Sequence, residues 1–150
     1  MIARLAGMIA TAAPALWAGM ILGAGFIAVP AVFDLPPAGK PVAYAAAARI
    51  FERLAMAEWL IAGLLLLALA GLRFPRQRTI AAIMLAALLA AQAIWLRPDL
   101  LARADILAHG GIVEPSPAHA IYAGLEFCKL AWLAGLAYAG GMGRAGDDQS

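Results

Sequence analysis

Four long apolar stretches divided by short polar connections set the pattern of this chain. They run over about 5–32, 54–72, 79–96 and 118–140. Each is continuous rather than alternating at every second residue, a pattern that predicts membrane-spanning helices and argues against a β-barrel. The expected fold is an all-α membrane protein: a four-transmembrane-helix bundle with one short amphipathic interfacial helix. A single domain over 1–140 would then be followed by a disordered polar tail, 141–150.

The punctuation between the stretches refines this. Arg4 ahead of an apolar run, with small residues at Ala10–Ala13, is also how a signal peptide begins. The apolar core of a signal peptide spans only about 7–15 residues, whereas this run continues to Val32, so an uncleaved first helix is predicted. Pro14 is expected to kink it, and the GxxxG spacing of Gly19 and Gly23 to seat a neighbouring helix of the same chain. Pro30–Pro41 holds four prolines and reads as a loop. Helix resumes near Ala43 and projects beyond the membrane before the second span, carrying Arg49, Glu52 and Arg53 as outer-boundary charges. Arg73, Arg76 and Arg78 crowd the next connection, and Thr79 is placed to cap the third span. Trp95 falls where an interfacial indole is expected, and Pro98 should stop the span. From Pro98 to His109, an apolar stripe through Leu100, Leu101, Ala104 and Leu107 opposes Arg103 and Asp105, the pattern of a surface helix.

Composition agrees: 65% of residues are hydrophobic and 13% charged, about half the usual charged share of a soluble domain. The lipid bilayer is therefore the expected partner. A net charge of +2 without a Lys/Arg run gives no footprint for nucleic acid. The single cysteine, Cys128, excludes an intramolecular disulfide and a CxxC motif, and reads as a small packing residue. Basic residues divide almost evenly between the two sides, but the 73–78 connection is the densest. The positive-inside rule then puts that loop and both termini in the cytoplasm. Compact loops suit a bacterial inner membrane. A protein partner or a second copy of the chain remains open.

Candidate chemistry is concentrated in the fourth stretch. His119, Tyr122, Glu126 and Lys129 share one helical face. Ionisable groups at membrane depth cost several kcal/mol unless paired or turned to a polar interior. Glu126 and Lys129 are i,i+3 neighbours, Glu58 can join from the second helix and Gln92 from the third. Such a cluster is either a clamp fixing helix register or a site for a proton, cation or small polar solute. No catalytic or metal-binding set and no cofactor is expected. His109 and His119 are poorly placed for a bis-His haem, no HExxH pattern supports zinc, and Ser116 and Ser150 lie outside any nucleophile motif. The reading leans away from an enzyme, towards solute or ion transport or an export-related tolerance. An accessory or assembly component is the alternative, and a membrane redox enzyme the second.

Several short motifs point to a family. Leu16-Trp17-Ala18-Gly19, then Pro30-Ala31-Val32-Phe33, Phe51, Trp95-Leu96-Arg97-Pro98 and His119 together resemble the transmembrane protein 205-like family over about residues 16–135. The family's members are small four-helix membrane proteins of largely undefined biochemistry. They usually carry a Ser or Asn shortly after the histidine, whereas this chain has Tyr122 among alanines and Glu126 in place of a neutral polar residue. The vertebrate namesake's link to tolerance of platinum drugs implies export or trafficking as the expected activity.

Overall fold

The computed structural model describes residues 1–34, 39–71 and 76–147, with side chains as far as Tyr138. Helices α1 (Ile2–Asp34), α2 (Gly39–Gly71) and α3 (Arg76–Ala108) have 33 residues each, and α4 (Ala118–Asp147) has 30. The fold is all-helical, without a strand among the described residues, and four helices are long and apolar enough to cross a membrane. At 1.5 Å per residue a 33-residue helix is about 50 Å long, against about 30 Å of hydrocarbon, so helix ends project from the bilayer.

Two of these lengths exceed the expected spans for one shared reason. Proline lacks the N–H that its helix would use, and its ring crowds the carbonyl four residues back. In α1 a π-helical turn, Gly23–Ala28, ends just ahead of Pro30, and Val29 N–H reaches back five residues to the Ala24 carbonyl. In α3 the same device, Gln92–Leu96, ends just ahead of Pro98, and Arg97 N–H bonds to the Gln92 carbonyl. The wider turn absorbs the missing donor, so both helices run through their prolines. The helix therefore continues to Asp34, five residues into the expected loop. The segment expected to be a separate interfacial helix is helical over Arg97–Ala108, but as the last third of α3, where it lies against α2. What stops α3 is Gly110, whose φ of 77° turns the chain. Gly110 N–H then bonds to the Leu107 carbonyl and Gly111 N–H to that of Ile106, satisfying two open acceptors.

Other expectations are also corrected. Thr79 is inside α3 rather than at its cap, because the helix starts at Arg76. A Cβ added at Gly19 or Gly23 would meet nothing within 4 Å, so the GxxxG spacing seats no helix of this chain. Cys128 is exposed rather than packed. The α4 backbone stays helical to Asp147, past the expected end at Gly140. Residues 148–150 of the expected tail, and 72–75 of the arginine connection, lie outside the described residues.

The helices pack in cyclic order. α1 lies against α2 and α4, and α3 against the same two, while the backbones of α1 and α3, and of α2 and α4, stay apart across the diagonals. The apolar core is divided. A large cluster that includes Ala13, Ile21, Leu65, Leu69, Leu85, Leu89 and Leu133 fills the half nearer the termini. A small one, Leu96, Ala118 and Tyr122 with Phe51, Leu100 and Leu125 against it, serves the other half. Between them the interior turns polar.

Candidate functional site: a polar layer tying four helices

Trp17 stands near the midpoint of α1, Glu58 near that of α2, and Gln92 at that of α3. In an antiparallel bundle these positions fall at one depth, where α4 contributes Glu126 and Lys129. The Lys129 ammonium donates to Glu58 Oε1 at 2.6 Å and pairs with Glu126 Oε1 at 2.8 Å. Lys129 thus bridges the α2–α4 diagonal that the backbones leave open. Trp17 Nε1 donates to the same Glu58 oxygen at 2.8 Å, and Gln92 Nε2 donates to Glu126 Oε1 at 3.1 Å. Every helix therefore has one end of a hydrogen bond in this layer.

Burial sets the electrostatics. Lys129 is 0% exposed, Glu58 and Gln92 1% each, and the Glu126 side chain 13%. Two carboxylates share one ammonium, so with both ionised the layer carries one negative charge in excess at bilayer depth. Two buried acceptors, Gln92 Oε1 and Glu126 Oε2, have no hydrogen-bond partner among the described residues. An orphaned buried polar atom costs about 1–3 kcal/mol, so the layer is built with capacity it does not itself fill. The π-helical turn of α3 begins at Gln92, and π-turns inside α-helices occur frequently at functional sites.

Comparison of the chain with protein-family models, curated proteins and solved structures finds no match. The site is therefore read from its own geometry.

The structure brings Glu58, Gln92, Glu126 and Lys129 together and sets the other candidates at varying distance from them. Tyr122, one turn before Glu126 and near enough to feel its charge, is buried edge-on against Phe51 at a centroid distance of 5.9 Å. His119 is exposed and lines a cavity instead of joining the layer. Arg49 and Glu52 pair with each other at 3.3 Å on the exposed outer end of α2, where Arg53 is exposed as well.

Trp17 is the member that reasoning from charge missed. Its signal was position: an indole at mid-span, far from the interface where tryptophan usually sits, needs a partner for its N–H.

The second structural feature is a cavity of about 640 Å³ at the outer end of the bundle, beside the small core cluster. Aromatic side chains of Phe33, Tyr44, Phe51 and Tyr122 line it, together with apolar positions on the last third of α3. Tyr122 is common to the cavity and to the surroundings of Glu126.

Proposed function

We propose that this integral membrane protein is of transport type, and that its midplane layer holds one exchangeable monovalent cation, the proton included, as part of moving an ion or solute. The observation that carries the reading is the imbalance of groups: Glu58 and Glu126 against Lys129 alone, with Glu126 Oε2 and Gln92 Oε1 left without partners among the described residues. A lone charge at this depth is costly, and a bound cation removes it while giving the orphaned oxygens something to coordinate or accept from. Glu126 is the exchanging group, being the less buried of the two carboxylates and the one with a fully buried oxygen left without a partner among the described residues. Glu58 is held by Trp17 and Lys129 and sets the position of the ammonium. By arginine density, both termini and the 73–78 connection are placed in the cytoplasm, and a bacterial inner membrane is the proposed location. Membership in the transmembrane protein 205-like family is proposed on the motifs quoted above.

Purified chain reconstituted into liposomes tests this. Under an imposed pH or alkali-cation gradient, cation flux above that of empty liposomes is expected, and Glu126→Gln should abolish it in a protein that still folds. No flux under any gradient, with folded wild-type chain in the bilayer, would overturn the reading.

One observation favours a second reading, a clamp in an accessory or assembly component: Lys129, Glu58 and Gln92 are sealed from solvent. On that reading Glu126→Gln changes stability alone, and the chain co-purifies with a stoichiometric protein partner.

A further inference from the structure

The outer cavity has features that the midplane layer does not explain. Its walls are apolar and aromatic, and about 640 Å³ is within the range of sites that enclose drug-sized ligands. Two of its four charged side chains, Arg103 and Glu52, are committed to partners. Arg103 donates to Asp99 at 2.9 Å and to the Glu114 carbonyl at 2.8 Å, and Glu52 is paired with Arg49. Glu114 lines the rim from the exposed connection before α4, so its carboxylate remains hydrated. Arg97 differs: it is half-buried in the cavity wall, close enough to Tyr122 to interact electrostatically, and makes no ion pair or side-chain hydrogen bond among the described residues. A half-buried guanidinium without a counter-charge is a fitting receptor for a carboxylate, which it can engage with two parallel N–H donors.

The side from which a ligand would enter is also indicated. Phe33 and Leu101 line the cavity and are 43% and 38% exposed. Exposed apolar side chains in the lining suit the entry of an amphiphile from the bilayer.

We infer that the cavity binds a single-chain anionic amphiphile drawn from the bilayer, a fatty carboxylate, with its head on Arg97 and its chain among Phe33, Phe51 and Leu100. The volume takes one acyl chain with its head rather than the pair of a diacyl lipid. The inference goes beyond the cation site and stands without it, because binding is read at equilibrium with no flux.

The test uses the full chain in nanodiscs of uncharged phosphatidylcholine, with dansyl-labelled undecanoate as the fluorescent probe. Dodecanoate should displace it at least tenfold more effectively than dodecyltrimethylammonium. Arg97→Gln should weaken dodecanoate about tenfold while leaving displacement by dodecanol unchanged, and Arg97→Lys should recover part of the loss. Ala104→Trp, which narrows the cavity without touching the charge, should abolish binding of probe and competitors alike. The inference is overturned if the ammonium competes as well as the carboxylate. It is overturned equally if Arg97→Gln leaves dodecanoate unaffected, or if Ala104→Trp, with helical circular dichroism intact, binds as before. Displacement by phosphatidylglycerol as strong as that by dodecanoate would replace the free acid with a membrane lipid and so contradict the single-chain assignment.

Discussion

The two halves of this bundle solve the same packing problem in opposite ways. Towards the termini, aliphatic and alanine side chains from all four helices close on one another, with Leu85 and Leu133 completely buried. Towards the other end, the connected core cluster shrinks to Leu96, Ala118 and Tyr122 beside a cavity, with Ala43, Ala47, Leu54 and Ala55 buried separately along α2. The polar layer lies at the junction. This arrangement assigns holding to one half and accommodation to the other. It also puts the buried charges where a dense wall backs them on one side and an opening lies near them on the other.

The largest break in that comparison should come from the junction. Lys129→Met strands Glu58 and Glu126 without their ammonium, and removing one partner of a buried pair costs about 3–5 kcal/mol. Combining it with Glu58→Gln should restore at least half of the loss, measured as thermal or denaturant unfolding in a mild detergent. Costs that simply add would break the link between the two side chains. Next, truncation should separate the halves: Leu85→Ala should cost about 2–5 kcal/mol, the range for buried leucines, whereas Leu100→Ala beside the cavity should cost less than half of that. Equal losses would mean that the outer half is packed as tightly as the inner.

Trp17→Phe keeps the aromatic volume and removes only the indole donor to Glu58. Loss of a hydrogen bond to a charged group is worth about 1.5–3 kcal/mol, and the same unfolding measurement would show it. The smallest effect is expected from enlargement. Ala104→Leu grows into open space and should leave stability within about 0.5 kcal/mol, as for a site free of strain. Ala82→Leu, at a position 3% exposed, should overpack the inner half and cost about 1–3 kcal/mol.

Helix number and the polar face of α4 were legible in the sequence because both rest on periodicity. Apolar length sets the spans, and the spacing of Glu126 and Lys129 puts them on one face. Glu58 and Gln92 could be nominated for the same reason, each being a polar residue inside an apolar run. What could not be read were the consequences of local backbone geometry. Pro98 looks like a stop because an ordinary α-helix cannot tolerate it, and only the π-turn over Gln92–Leu96 lets α3 continue. That continuation carries Leu100, Leu101 and Ala104 into the cavity wall, so the cavity was hidden along with it. Gly19 and Gly23 illustrate the converse: a spacing that permits close helix approach does not say which face of α1 meets another helix. Trp17 was quoted for its motif, but its partnership with Glu58 depends on α1 and α2 crossing at one depth, which no local pattern encodes.

The central claim is that Glu126 exchanges one monovalent cation at the bundle's midplane. Infrared difference spectroscopy on purified chain tests it most directly, recording the carboxyl and carboxylate bands as pH is stepped or alkali cations are exchanged. The account predicts one carboxyl group per chain that changes state with the occupant, a signal absent from Glu126→Gln and still present in Leu100→Ala. A folded wild-type protein in which no Glu126-dependent carboxyl signal follows any cation would contradict it.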